Sequence, residues 1–147
     1  MKNILVPLDL KPGTDKVSAM ACRLAKATGA KLWLLHVAAP QPDLVGYEAG
    51  PQYIRDVRAD ELREEHTWLQ RCAAETQAQD IVAQAILVMG PTVEVILKEA
   101  KRLNADLIVM GNHGRHGLAK AFIGSVSEEV IHADAIPVLI VPTPKEE

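Results

Sequence analysis

Short apolar runs alternate with longer amphipathic stretches along the whole chain. Five runs have the length of a strand and are largely apolar on both faces: Asn3–Leu8, Lys31–Val37, Ile81–Val88, Leu107–Met110 and Val138–Val141. Between them, helical spacing or helix-favouring composition predicts four helices: Thr14–Thr28, Ile54–Gln79, Thr92–Asn104 and about Ser125–Ala133. Three prolines and two glycines interrupt residues 38–53, which we therefore predict to be a long loop.

The order of these elements, βαβαβαβαβ, predicts an α/β fold. Strands that are apolar on both faces need helices above and below them, so we expect a three-layer, doubly wound, five-stranded parallel sheet. In such folds ligands bind beyond the carboxyl ends of the strands, where the winding reverses. The loops after Leu8, Val37, Val88 and Met110 are therefore the places to look for a site.

A glycine-rich segment follows the fourth strand and leads into the last helix. Its glycines, which permit close approach of the backbone to a ligand, are Gly111, Gly114, Gly117 and Gly124. From Leu107 to Ser127 there is no acidic residue, while His113, Arg115, His116 and Lys120 supply basic groups. Ser125 and Ser127 add hydroxyls at a helix amino terminus, which attracts anions. We favour a phosphate-binding loop over a flexible turn with solvated charges.

The common phosphate-binding signatures are missing elsewhere. The chain has no GxxxxGK[ST] motif, and the first strand–helix turn, residues 9–13, has no GxGxxG. Asp9 in that turn has two open interpretations: it accepts a hydrogen bond from a base or ribose, or it caps the turn. A phosphate-receiver domain is excluded because the third strand ends in Val88-Met89-Gly90 without an aspartate.

The remaining polar residues suggest no catalytic centre. His36 lies within an apolar strand, so a packed, hydrogen-bonded core histidine is favoured over a ligand. The region Glu61–Glu65 is interpreted as a charged helix face with no further role. Cys22 and Cys72 are far apart in sequence and are expected to be reduced structural thiols of a cytoplasmic protein. No residue is assigned a catalytic role, and no metal site is predicted.

Length and charge narrow the class of protein. A chain of 147 residues predicts one domain, residues 1–147. A net charge of -3 and an aromatic content of 3% disfavour a nucleic-acid-binding protein. No apolar run approaches the roughly 18 residues that span a bilayer, so we expect no membrane segment.

Several segments together resemble one known family. Gly111-x-x-Gly114, followed after nine residues by Gly124-Ser125, matches the nucleotide-binding signature of the universal stress proteins. The likeness extends to Val6–Asp9, Leu35–Val37 and Ala105–Met110, and at the carboxyl end to Pro137–Val141. The chain is thus similar to that family over nearly its whole length, which implies a Rossmann-like domain of the universal stress protein type.

The resemblance implies an ATP site, with AMP or ADP as alternatives and Mg²⁺ accompanying the nucleotide. In it, Pro7 and Leu8 would line the approach, Asp9 would meet the adenine end, and the backbone of Val37 would recognise adenine. The other implied positions are Met110 beneath the nucleotide, Gly111, Asn112, His113 and Gly114 at ribose and phosphate, and Gly124, Ser125, Val126 and Ser127 at the triphosphate. The basic, glycine-rich part between them adds Arg115 and Gly117. Two residues depart from the family pattern: Leu8, where a smaller or hydroxylated residue is frequent, and Asn112, where Ser or Thr is common.

The resemblance also implies a homodimer formed through Val138–Val141, a short apolar strand that would otherwise be an unprotected edge. The leading hypothesis is a cytoplasmic, ATP-binding stress-response regulator that acts through conformation or an unknown protein partner. A slow ATPase or phosphoryl or adenylyl transferase using the same pocket is the enzymatic alternative. A nucleotide-free interaction module and, more remotely, a flavodoxin-like electron carrier are the others.

Overall fold

A computed structural model describes residues 1–38, 52–112 and 124–144, apart from the side chain of Ile54. Its strands are β1 (Asn3–Pro7), β2 (Lys31–Ala38), β3 (Ala83–Met89), β4 (Leu107–Gly111) and β5 (Val138–Val141). Its helices are α1 (Thr14–Thr28), α2 (Gln52–Gln77), α3 (Thr92–Arg102) and α4 (Ser125–His132). The strands form one parallel sheet in the order β3-β2-β1-β4-β5. The predicted five-stranded, doubly wound α/β fold is confirmed.

Alternation of side chains along the strands divides the core into two layers. Val6 and Leu34 point to one face of the sheet, where they pack with Val17 of α1 and Leu69 of α2. Leu5, Leu35 and Ile108 point to the other face, where α3 and α4 cover them with residues such as Ile96 and Val130. The winding reverses between β1 and β4, which are neighbours in the sheet although they are far apart in sequence.

Most element boundaries lie within two residues of those predicted. α1 ends as expected at Gly29, whose φ of 75° is left-handed and whose N–H donates to the carbonyl of Ala25 at 2.8 Å. β3 begins at Ala83 rather than Ile81, because residues 78–80 form a turn and Gln77 donates a side-chain hydrogen bond to the Ala83 carbonyl. α3 ends at Arg102 rather than Asn104, since Asn104 adopts a φ of 50°.

The predicted loop 38–53 is shorter at both ends than expected. Ala38 continues β2, where it pairs with Met89, and α2 starts at Gln52. Residues 39–51 lie outside the described residues. In the part of the chain that is described, no helix is long and apolar enough to cross a membrane.

At the amino edge of the sheet, Asp106 joins the starts of β1 and β4. Its Oδ2 accepts the backbone N–H groups of Lys2 at 2.6 Å and Asn3 at 2.9 Å. Because these donors stabilise the ionised form, they hold the pKa of Asp106 below its ordinary value of 3.8.

Candidate functional site

The chain leaves β1 through Leu8 and Asp9 at the switch point of the sheet. Leu8 extends the β1–β2 ladder by one more hydrogen bond, from its N–H to the Leu35 carbonyl at 2.8 Å. Its side chain is 4% exposed and packs in the core beneath α1 and α2. Leu8 would therefore contribute its backbone, and not its side chain, to the site. Pro7, the last residue of β1, is half-buried.

Asp9 organises the turn that leads into α1. Its Oδ1 accepts hydrogen bonds from the Lys11 N–H at 3.1 Å and from the Thr14 hydroxyl at 3.3 Å. Thr14 Oγ1 also contacts the Lys11 carbonyl at 2.9 Å, and Gly13 turns the chain with a φ of 99°. Of the two interpretations of Asp9, the turn-capping one is observed directly. It fixes an exposed carboxyl group at the carboxyl edge of the sheet.

The end of β4 supplies three of the predicted site residues. Met110 is only 5% exposed and packs in the core under α3 and α4. Gly111 and Asn112 follow it and are partly exposed at the carboxyl edge. Gly111 pairs with Val141 of β5, which places the end of β4 next to the end of the last strand.

Helix α4 begins beside Gly111. Gly124 is buried and precedes its first turn with an ordinary extended backbone, φ −58° and ψ 155°. Ser125 is exposed, Val126 is half-buried, and Ser127 is 3% exposed. The Ser127 hydroxyl donates to the Gly111 carbonyl at 2.8 Å, so its proton already takes part in a hydrogen bond within the protein. The first-turn N–H groups of α4 have no acceptor within the helix, and with the helix dipole they form an anion-attracting end.

A fourth segment reaches the same edge, and no pattern in the sequence had indicated it. Thr143, two residues beyond β5, donates through its N–H and its hydroxyl to Asn112 Oδ1, at 2.8 and 3.0 Å. A Cβ on Gly13 would lie 2.7 Å from the Cβ of Thr143, so this segment also touches the turn after β1. No motif includes Thr143, and only the three-dimensional return of β5 brings it there.

His36, near the end of β2, is a hydrogen-bonded core histidine, as the sequence favours. It is 6% exposed, and its Nδ1 lies 2.7 Å from the Leu8 carbonyl oxygen. Its Nε2 lies 3.5 Å from Oε2 of Glu65 on α2, and Trp68 packs edge-on against the imidazole. The interpretation of Glu61–Glu65 as a charged helix face and nothing more is wrong for Glu65, because its side chain is only 22% exposed and faces His36 of the sheet. The next residue, Val37, is half-buried with its side chain on the opposite face.

His113, Gly114, Arg115 and Gly117 lie outside the described residues. Within residues 1–38, 52–112 and 124–144, no cluster of three or more His, Cys, Asp or Glu side chains could hold a metal ion. The cysteines Cys22 and Cys72 are free thiols that line a groove of about 590 Å³ between α1 and α2. Burial, and then the negative charge of Glu75, raises the pKa of the Cys72 thiol, which disfavours the reactive thiolate.

The observed geometry defines the class of protein. It is a doubly wound α/β protein in which the turn after β1, the end of β4 and the start of α4 converge where the winding reverses. A model of the family described as the universal stress protein family matches residues 1–142. The chain belongs to this family.

Relatives and solved structures agree with this assignment over nearly full length. A universal stress protein of Thermus aquaticus is 33% identical over 142 residues, which cover 95% of this chain and 98% of the relative. The solved structure of the hypothetical protein MJ0577 superposes with a TM-score of 0.81 at 25% identity, covering 99% and 98% of the two chains.

Two other solved structures share the fold and contain nucleotides. One is a universal stress protein in complex with cAMP, with a TM-score of 0.73 at 22% identity, covering 97% of this chain and 98% of that one. The other is the universal stress protein of Archaeoglobus fulgidus in complex with dAMP, with a TM-score of 0.68 at 20% identity, covering 95% and 97%.

Proposed function

We propose that this protein binds ATP, with Mg²⁺ accompanying the nucleotide, and acts as a cytoplasmic nucleotide-dependent switch in a stress response. The observation that carries the proposal is the meeting of three segments at the switch point: Asp9 after β1, Gly111 and Asn112 after β4, and the start of α4 at Gly124 and Ser125. Adenine nucleotides bound by two proteins of the same fold support it.

The residues at this point suit the two ends of a nucleotide differently. Beside the exposed Asp9, the ends of β1 and β2 offer a half-buried apolar setting for an adenine, with Pro7 and Val37 nearest. At the other end, the N–H groups of α4 and the exposed Ser125 hydroxyl suit phosphate oxygens. Because the Ser127 hydroxyl is bonded to the Gly111 carbonyl, Ser127 would bind a phosphate through its backbone N–H.

Calorimetric titration of nucleotide-free protein with ATP and Mg²⁺ tests the proposal. We expect saturable binding near one nucleotide per chain. The backbone at Gly124 has angles that any residue can adopt. Replacing Gly124 with Leu should weaken ATP binding at least about tenfold, because the new side chain would crowd the amino terminus of α4. Ala133→Leu places the same side chain at the far end of α4 and is the matched control. Equal affinities of the two variants would show that phosphate does not bind at this helix end.

A second substitution separates charge from bulk. Ser125→Asp puts a carboxylate at the start of α4, where it favours the helix dipole but repels phosphate. We expect unchanged or higher thermal stability together with at least about tenfold weaker ATP binding. Ser125→Ala, which removes only the hydroxyl, should cost less. A Ser125→Asp variant that binds ATP like the wild type would contradict the site.

The alternative functions are decided by the same protein samples. Steady phosphate release that is lost in an Asp9→Ala variant still able to bind ATP would favour the slow ATPase. Folded wild-type protein that gives no heat with any adenine nucleotide would favour the interaction module.

A further inference from the structure

A buried histidine joins three elements at the adenine end of the candidate site. His36 belongs to β2, its Nδ1 meets the carbonyl of Leu8 after β1, and its Nε2 faces Glu65 of α2. Trp68, one helical turn further along α2, packs edge-on against the same ring at a centroid distance of 6.2 Å. The side chain is therefore oriented from both ends and from one side.

The partner of Nδ1 fixes where the imidazole carries a proton. A carbonyl oxygen can only accept, so Nδ1 carries the hydrogen of the 2.7 Å bond to Leu8. At the other end of the ring, Nε2 lies 3.5 Å from Oε2 of Glu65. Nε2 thus faces Glu65, while the Nδ1–H bond to Leu8 orients the ring.

The bond from His36 to Leu8 fixes the backbone immediately before Asp9. The N–H of Leu8 already donates to the Leu35 carbonyl, so β2 holds both backbone polar groups of this residue. The next residue is Asp9, whose carboxyl group in turn orders Lys11 and Thr14. The His36–Leu8 bond is thus the last fixed point before the turn that presents Asp9.

We propose that His36 is a positioning residue for the nucleotide site: its Nδ1–H holds the Leu8 carbonyl, and thereby sets the position of Asp9 and the turn to α1. The Glu65–His36 contact extends this connection to α2, so that helix and the adenine end of the site move together. The expected effect of His36 on ATP affinity rests on the proposed ATP function, whereas its effect on the order of the turn does not.

Two substitutions that each keep one end of the imidazole test this role. The amide nitrogen of Asn can take the place of Nδ1, whereas that of Gln reaches the place of Nε2. We therefore expect His36→Asn to bind ATP with an affinity within about threefold of the wild type. His36→Gln should bind ATP about tenfold more weakly, because it loses one buried hydrogen bond. If His36 served packing alone, the two variants would lose affinity alike, and that result would overturn the proposal.

A measurement without ligand separates this inference from the proposed function. Hydrogen exchange at the Lys11 amide, which bonds to Asp9, should be about tenfold faster in His36→Gln than in His36→Asn at matched global stability. In the wild type, nitrogen-15 NMR of the imidazole should show a protonated Nδ1. In one outcome, the wild type gives no ATP binding while the two variants differ in exchange as expected and the wild-type Nδ1 is protonated. That outcome would refute the nucleotide function and leave the positioning role intact. Equal exchange in the two variants, or an unprotonated Nδ1, would refute the positioning role whatever ATP does.

Discussion

At Gly13 the turn after β1 lies close to the segment after β5. Its φ of 99° is left-handed, and an added Cβ would lie 2.7 Å from the Cβ and 2.9 Å from Cγ2 of Thr143. Two separate costs therefore fall on any side chain at this position: backbone strain and the displacement of a neighbouring segment.

We expect Gly13→Ala to lower the free energy of unfolding by about 3 kcal/mol, measured by urea titration. Gly29→Ala is the matched control because Gly29 also has a left-handed φ, of 75°, but has open space where the Cβ would go. It should cost only about 1 kcal/mol. In a double-mutant cycle, Thr143→Gly should recover part of the excess, since Pro144 Cδ would still lie 2.9 Å from the added Cβ. Equal costs at the two glycines would show that the close approach of Thr143 carries no energy.

Asn112 joins two segments that are distant in sequence. Its amide oxygen accepts two hydrogen bonds from Thr143, one from the backbone and one from the hydroxyl. A serine or threonine there would have a shorter side chain. The amide therefore ties the end of β4 to the segment beyond β5.

At the scale of elements, Asp106 links β1 with β4, a pair whose ladder has only the register partners Ile4↔Leu107 and Leu5↔Ile108. Because the pKa of Asp106 is lowered in the folded protein, its contribution to stability is fully present above the ordinary pKa of 3.8. It is lost as pH falls through the lower, folded-state value.

We therefore expect Asp106→Asn to be less stable than the wild type at pH 7, with the difference narrowing below pH 3.8. Urea unfolding of both proteins at several pH values between 7 and 3 measures this, and the carboxyl groups they share cancel in the comparison. Asp134→Asn, at an exposed aspartate with a φ of 49° that asparagine tolerates, is the control. A difference that stays constant down to pH 3 would contradict the assigned hydrogen bonds.

Hydrophobic patterning and, for α2, helix-favouring composition were sufficient to predict the elements, because the strands are largely apolar and the glycines at 13 and 29 mark the ends of α1. The pattern also placed the candidate site, since parallel topology alone brings the ends of β1 and β4 together. It could not assign Glu65, because a glutamate that turns inward toward a histidine has the same sequence pattern as one in solvent. Thr143 and the bond from Ser127 to Gly111 were equally unpredictable: both depend on contacts between residues distant in sequence.

At the scale of the whole molecule, the sheet has two edges, β3 and β5. Val138, Leu139 and Ile140 of β5 are half-buried apolar residues, and β5 pairs with β4 on one side. We propose that a second copy of the chain pairs with the other side of β5 to form a homodimer. Since Pro137 presents its carbonyl to Ile108 of β4, alternation along the strand directs the N–H of Ile140 away from β4.

Ile140→Pro removes that outward N–H and should weaken dimerisation at least about tenfold in sedimentation equilibrium. Ile140→Val keeps the N–H and should remain dimeric. Val82→Lys, which changes an exposed residue just before β3 at the opposite edge, should have no effect. A wild type that sediments as a monomer at micromolar concentration, or a dimer that survives Ile140→Pro, would contradict pairing through β5.

The hydrogen bond from Ser127 to Gly111 has a consequence for the speed of binding. It fastens the first turn of α4 to the end of β4 at 2.8 Å. The helix end that attracts anions is therefore preorganised, and little entropy remains to be lost there when a ligand arrives. Association at this end should consequently follow simple second-order kinetics, with a rate proportional to ligand concentration and no slow rearrangement phase.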